Sequence, residues 1–372
     1  MTFKRYRVKD PLAIALHFAL DGEIESIRPH GNGNVNDTYL VTLTEGRGHT
    51  ILQRVNTYVF VKPESVMRNM QRATEHLRAC VEEDQLDWKV QAVILSKTGD
   101  TFWQAEDGTF WRMISYIENS ESFDAIYTHQ QAYELGYALG LFHAHINRLE
   151  ATKFDTVLEG FHVSPGYLAA FDETETIRGV LVDDELTYAL NFIEQNRDRI
   201  GVLEAAKMEG ILPLRIIHGD PKANNIMFDK NSGKAISVID LDTIQPGLIH
   251  YDIGDCIRSS CNPLGEEPGV DWGETRFDLI SFRHVLEGYL QQGRSLLSEQ
   301  EYDYIYDAIF MMTFELGLRF LTDYFQGNVY YKIHFPTQNK YRALTQFKLA
   351  EEIQNHQEVI KRIVKELHLS HS

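Results

Sequence analysis

Asp220, Lys222 and Asn225 share one short stretch, HGDPKANNIMFD, residues 218–229. Phosphoryl transfer needs three functions close together: a base that orients a hydroxyl, an oxygen ligand for a metal ion, and a cation for the charge on the migrating oxygens. Asp220, Asn225 and Lys222 would supply them in that order. The same residues also suit an ordinary polar turn, with Asp220 capping backbone amides and Lys222 in solvent. A second segment bears on the choice. In VIDLDT, 238–243, an apolar run ends in Asp240 and Asp242, which a strand would place on one face. Asp240 is the candidate for holding a metal that bridges nucleotide phosphates. Two acids and an amide converging within one small sheet are far more specific to phosphoryl transfer than either segment alone.

Those residues need elements to position them. Residues 214–242 read as three short strands, LRIIHGD, NIMFD and ISVIDLD, with KNSGK as a hairpin loop. The flanking periodicity is helical over 128–149, 183–206, 276–293, 301–325 and 346–367. Upstream, residues 26–117 are β-rich: TYLVTL and HTILQRVN alternate like strands, and 99–117 is aromatic and β-branched, broken by Asp-Gly. A single helical pattern, 63–80, interrupts them. The expected class is α+β, an antiparallel lobe with one helix followed by a mainly helical lobe. The polar ENSESFD, 118–124, reads as the connector between lobes spanning 1–117 and 125–372.

Bulk properties narrow the partners. A chain of 372 residues exceeds one comfortable core, and 43% apolar residues can fill two lobes. Its 36 basic against 54 acidic residues give a net charge of -18, which repels nucleic acid and anionic lipid. Three cysteines, Cys80, Cys256 and Cys261, make no disulfide framework and suit a reducing, cytoplasmic setting. The basic MTFKRYRVKD before PLAIALHFAL superficially resembles a secretory signal, but His17 interrupts the apolar run. It reads instead as an N-terminal helix docked on the body. No run reaches the roughly 18 apolar residues of a membrane span. His143 and His145 stand two apart on a helix and cannot face one metal, Met311 and Met312 suit a core, and Lys361, Arg362 and Lys365 a solvated helix face.

With HGD, the Asn after it, and ID in these positions, the chain resembles the aminoglycoside phosphotransferase and choline kinase superfamily. HFALDGEIESIRPHGNGNVNDTYLV, ILQRVNTYVF, IDLDTIQPG, YDIGDCIR and LRFLTDYFQGNVYY extend the likeness, over nearly the full length, to N-acetylhexosamine 1-kinases. The resemblance implies a bilobal, protein-kinase-like fold with ATP and Mg2+ in the cleft and N-acetylglucosamine or N-acetylgalactosamine as acceptor. It implies Asp220 as base on the anomeric hydroxyl, Asn225 and Asp240 as magnesium ligands, and His218 and Asp252 as residues that position the catalytic loop. Asp252 could equally cap its own helix, and Asp242 is left without a role.

The N-terminal lobe should cover the phosphates. HGNGNVNDTYLV matches a glycine-rich turn only weakly, with Gly31 and Gly33 but Asn36 where a third glycine often stands, and it would also make a plain hairpin. The nucleotide-facing set implied is Gly31, Asn32, Gly33, Gln53, Arg54 and Ile117. Asn34 stands near the sugar where relatives often carry histidine. Protein kinases place a lysine on the third strand, whereas HTILQRVN offers Gln53 and Arg54 on opposite faces, so the phosphate clamp is unassigned. Arg319 and Tyr330 are placed near the acceptor by the resemblance; the residues alone would equally give an Arg319–Asp323 pair at helical spacing with Tyr330 in the core. Competing readings are a kinase of an aminoglycoside, choline or other cationic alcohol, and a pseudokinase without turnover.

Overall fold

The computed structural model describes residues 10–31, 35–174, 183–267 and 269–370. α1 (Pro11–Ala15) is the expected docked helix in short form: Ala15 and Phe18 are buried with Ile14 packed beside them, while Leu12 and Leu16 are 45% and 53% exposed. Beyond it His17 stacks on Trp103 at 3.9 Å. Strands β1 (Ile24–Pro29), β2 (Asp37–Leu43), β3 (His49–Val55), β4 (Val93–Ile94), β5 (Trp103–Gln104) and β6 (Phe110–Ser115) form one antiparallel sheet ordered β1-β2-β3-β6-β4, with β5 also on β6. Alternation gives the sheet two faces. Val41, Leu52, Trp111 and Met113 close a small outer core with Phe18. On the other face Leu40, Ile51, Val55, Phe110 and Ile114 meet α2 (Pro63–Glu83), whose Val66, Met67, Met70, Ala73 and Leu77 recur at helical spacing.

α2 is also tied to the second lobe. Buried Asn69 donates to the carbonyls of Asp155 and Ile244, each at 2.8 Å, and accepts the Asp155 N–H at 3.0 Å. The connector carries β7 (Ser120–Glu121), too short to announce itself by periodicity. α3 (His129–Ile146) follows with a Thr128/Gln131 capping box. α4 (Ser164–Asp172), α5 (Asp184–Asn196) and α6 (Val202–Met208) come next; the single helix expected over 183–206 is broken, and α6 starts anew after Gly201.

The segment expected to form one small sheet forms two. β8 (Arg215–Ile217) pairs with β11 (Gln245–Gly247), whereas β9 (Ile226–Asp229) pairs with β10 (Ala235–Val238) and with β7. The acids and amide therefore sit on loops between two ribbons, an arrangement that long-range pairing decides and local pattern does not. Beyond them lie α7 (Ile249–Ser260), α8 (Leu279–Gly293), α9 (Glu299–Asp303), α10 (Ile305–Phe325), α11 (Gln338–Asn355) and α12 (Gln357–Leu369). The C-terminal pattern thus begins earlier than 346 and breaks at His356, whose N–H and ring both bond the Glu352 carbonyl. α3 and α8 touch backbone to backbone: a Cβ on Gly288 would lie 2.0 Å from the Tyr133 carbonyl oxygen. Met311 and Met312 are in the core, and all three cysteines are buried and free. No helix among the described residues is long and apolar enough to cross a membrane.

Candidate active site

After β8 the chain turns at Gly219, whose φ of +87° favours glycine and whose Cβ would stand 2.8 Å from the Thr243 carbonyl oxygen. Asp252, on α7, receives the turn. Its Oδ2 accepts the His218 N–H at 2.6 Å and its Oδ1 the Gly219 N–H at 2.8 Å, while His143 Nε2 lies 2.8 Å from Oδ2. α7 has no side-chain cap, so this carboxylate serves the loop and not its own helix. His218 is buried, and its tautomer follows from its partners: Nε2–H donates to the Ile239 carbonyl at 2.8 Å, which leaves Nδ1 to accept the Asp220 N–H at 3.2 Å. The loop is thereby linked to the end of β10, just before Asp240. His143 faces Asp252 and Tyr289, and His145 faces Asp84, so the pair diverges.

Asp220 Oδ2 lies 2.9 Å from Lys222 Nζ, and Asn225 Nδ2 donates to the Asp220 carbonyl at 2.8 Å. Burial alone would lower the Lys222 ammonium, but Asp220, Glu266 and Asp240 outweigh it and hold the group above the usual lysine value. Asp240 takes a left-handed backbone (φ 64°, ψ 55°), uncommon for any residue but glycine. Burial, then the carboxylates of Asp242 and Asp220, push its pKa up to about 7, against Lys222 and Arg112.

That donor set fits magnesium in one specific way. Among the described residues no group of three His, Cys, Asp or Glu side chains could hold a metal by itself. Magnesium bound with substrate phosphates asks for only one or two protein oxygens. Asn225, whose amide nitrogen is held by the Asp220 carbonyl, turns its oxygen the other way, and Asp240 is a carboxylate whose charge burial and two neighbouring carboxylates disfavour even with Lys222 and Arg112 acting the other way, so that a further cation would favour it.

On the N-terminal side, Asn32, Gly33 and Asn34 lie outside the described residues, and Gly31 has φ 70°. Gln53 and Arg54 do face opposite ways. Arg54 pairs with Asp37, whereas Gln53 Oε1 accepts from Arg112 Nε at 2.9 Å and Nη2 at 2.6 Å. Arg112 in turn lies 2.5 Å from Asp242 Oδ1, and Asn36 donates to Asp242 Oδ2 at 2.6 Å. Asp242 thus gains partners from the opposite lobe. The side chain of Ile117, expected against the nucleotide, packs with Met227 and Ile236, and its carbonyl accepts the Ser120 hydroxyl at 2.5 Å.

The far end of the site is built on α10. Arg319 is flanked by the rings of Tyr167 at 5.2 Å, Phe161 at 5.4 Å and Tyr331 at 6.0 Å. Its ionic neighbour is Glu315, at 3.9 Å, and not Asp323. Asp323 accepts the backbone N–H groups of Val329, Tyr330 and Tyr331 instead, shaping the turn after α10. Tyr330 is not in the core; it is 46% exposed and packs edge-on against Tyr331 at 4.8 Å.

His162 joins the two ends, a link the sequence did not announce. Its Nδ1 lies 3.0 Å from Glu315 Oε1 and its Nε2 2.9 Å from the Gly219 carbonyl, both acceptors, so both nitrogens carry protons. Burial opposes that charge, but Glu315, aided by Asp255 and the Gly219 carbonyl, outweighs it and raises the pKa. Ser164 donates to the other Glu315 oxygen at 2.8 Å.

Comparisons with known proteins agree with this fold. Over 96% of both chains the fold matches an aminoglycoside phosphotransferase from Alicyclobacillus acidocaldarius, at 15% identity and a TM-score of 0.65. A microcompartment-associated aminopropanol kinase matches at 15% identity and TM-score 0.61, over 94% of this chain and 97% of that one. A spectinomycin phosphotransferase, solved with ADP and spectinomycin, matches at 14% identity and TM-score 0.55, over 91% and 94%. The architecture is the α+β, kinase-like fold. Residues 26–285 match the model of the phosphotransferase enzyme family, and the chain belongs to that family.

Proposed function

We propose that the protein is an ATP- and magnesium-dependent kinase of a small alcohol, and that its acceptor is the anomeric hydroxyl of an N-acetylhexosamine, yielding the sugar 1-phosphate. Arg319 carries the choice of acceptor. Its guanidinium is enclosed by three aromatic rings, meets one carboxylate at 3.9 Å, and among the described residues donates no hydrogen bond. Such a group favours an acceptor that brings carbonyl and hydroxyl oxygens, and it repels a cationic one. Tyr167 and the half-open Tyr330 offer aromatic surface for a pyranose face.

In this reading Asp220 orients the acceptor hydroxyl and takes its proton as the oxygen attacks the γ-phosphorus in line, while the bond from that phosphorus to the β,γ-bridging oxygen breaks and ADP leaves. Lys222, kept charged by its carboxylate neighbours, offsets charge on the transferred oxygens. Asn225 and Asp240 would hold magnesium, which supplies charge neutralisation across the nucleotide phosphates. Asp252 and His218 keep the loop in register through backbone contacts. Three buried free thiols agree with a cytoplasmic enzyme.

The competing acceptor is a cationic amino alcohol, favoured by the substrates that the aminoglycoside and aminopropanol relatives are named for. ADP release from magnesium-ATP separates the two when N-acetylglucosamine, N-acetylgalactosamine, choline, aminopropanol and kanamycin are offered one at a time, with no-acceptor and Asp220→Ala controls. Turnover with an acetylhexosamine and an acid-labile phosphate product is expected. Turnover with cationic acceptors alone would move the protein to the second class, and none with any acceptor would leave a nucleotide-binding pseudokinase as the reading to test.

A further inference from the structure

We propose that Arg112 supplies the buried cation on the nucleotide side of the cleft, acting as a positioning residue that holds Asp242, and with it the metal loop, against the N-terminal sheet. The inference rests on the kinase reading above. Protein kinases place a lysine on the third strand and pair it with a glutamate of the neighbouring helix. Here the third strand offers Gln53, and the facing position of α2 offers Met70, whose sulfur lies 3.9 Å from Arg112 Nη1. Neither half of the usual pair is present.

The charge has moved one strand over. Gln53 and Arg112 are cross-strand partners in the β3–β6 register, so their side chains rise from the same face. Gln53 Oε1 takes both Nε–H and Nη2–H of Arg112, which fixes the plane of the guanidinium. So held, Nη2 reaches Asp242 Oδ1 at 2.5 Å. The side chain is only 1% exposed and Asp242 is also buried, so the contact is little screened by solvent.

A purely structural role explains this poorly. Two buried charges in a core are often matched or bettered by apolar residues of similar volume, and the neighbours at the inner face of this sheet, Phe110, Ile114 and Met70, are apolar. The pair instead lies where the lobes meet, two residues after Asp240, and Asn36, just before β2, takes the remaining oxygen of Asp242 at 2.6 Å. One carboxylate of the metal loop thus meets an ion-pair partner and a hydrogen-bond donor from the opposite lobe. Lys222, paired with Asp220 at 2.9 Å, and Arg112, paired with Asp242, both act on the Asp240 carboxylate electrostatically.

The test moves the charge back. Arg112→Met, Arg112→Lys and the double variant Gln53→Lys/Arg112→Met are compared with wild type by titration of a fluorescent ATP analogue in magnesium, by steady-state kinetics and by thermal melting. Arg112→Met is expected to weaken nucleotide binding and raise the KM for ATP at least tenfold, with the acceptor KM within twofold. Arg112→Lys should fall between, having lost the fork but kept the charge. The double variant should recover at least threefold of the loss. Wild-type nucleotide affinity in folded Arg112→Met, or ATP and acceptor KM rising together, would overturn the inference while leaving the kinase reading intact. If Arg112→Met fails to fold, the double variant decides: folded with near-wild-type ATP affinity supports the relocated charge, and folded without nucleotide affinity refutes it. A wild-type protein that binds no nucleotide would remove the kinase reading and this inference with it.

Discussion

Asp252 Oδ1 accepts the backbone N–H of Gly219 at 2.8 Å, so a carboxylate on α7 fixes the residue immediately before Asp220. Its other oxygen holds the N–H of His218 and faces His143. Replacing Asp252 with alanine leaves three buried donors without their acceptor, which costs about 3–5 kcal/mol. A lower melting temperature together with a kcat reduced tenfold or more is expected. An Asp252→Ala protein with wild-type melting and kcat would show that the loop stands without this anchor.

Gly219→Ala makes the complementary change from the backbone side. An alanine at φ +87° costs about 1–2 kcal/mol, and its Cβ would press on the Thr243 carbonyl, which must shift. The expected signature is a kcat loss of at least a hundredfold with nucleotide affinity within about threefold. Equal losses in both, read by steady-state kinetics and nucleotide titration, would point to general unfolding.

Asp220→Ala should abolish turnover, by a factor of about 10³ or more, and leave ATP affinity nearly unchanged. Single-turnover assays with radiolabelled ATP are sensitive enough to decide. Residual turnover within tenfold of wild type would remove Asp220 from the role of base.

Arg319→Ala should raise the acceptor KM more than tenfold and leave the KM for ATP within twofold, because its neighbours, Glu315 and three aromatic rings, lie at the α10 end of the site. An improved KM for a cationic alcohol in this variant would identify the guanidinium as the element that excludes such substrates. An unchanged acceptor KM would place the acceptor elsewhere.

His162 gives the pH dependence. Its folded pKa lies above the ordinary 6.5, raised by Glu315 with Asp255 and the Gly219 carbonyl against the effect of burial, while the Tyr251 ring packs beside it at 5.5 Å. Stability from this group is therefore fully present below about pH 6.5 and lost as pH rises through the raised pKa. Melting temperatures of wild type should fall on the alkaline side more steeply than those of His162→Gln. Parallel curves would mean that the imidazolium contributes nothing to the folded state.

Much of the candidate site's grouping was legible because its spacing is local. Asp220, Lys222 and Asn225 occupy one loop, and the alternation in β2 and β3 and the helical period of α2 and α3 are properties of contiguous residues. What escaped depends on contacts between distant segments. Arg112 sits among aromatic strand residues and gives no local sign of a partner; only the β3–β6 register and the meeting of the lobes bring it to Gln53 and Asp242. His162 likewise gains its role from Glu315 and Gly219, neither near it in sequence. The division of β8 to β11 into two ribbons and the use of Asp323 on backbone amides, rather than on Arg319, have the same origin.

Asn69 has every hydrogen-bonding group that matters committed to the second lobe: two donations to carbonyls and one acceptance from an amide, all on backbone. In protein kinases the position of the corresponding helix is a control point, set by phosphorylation of the activation loop. Here the main chain of the opposite lobe, at Asp155 and Ile244, sets where that helix sits.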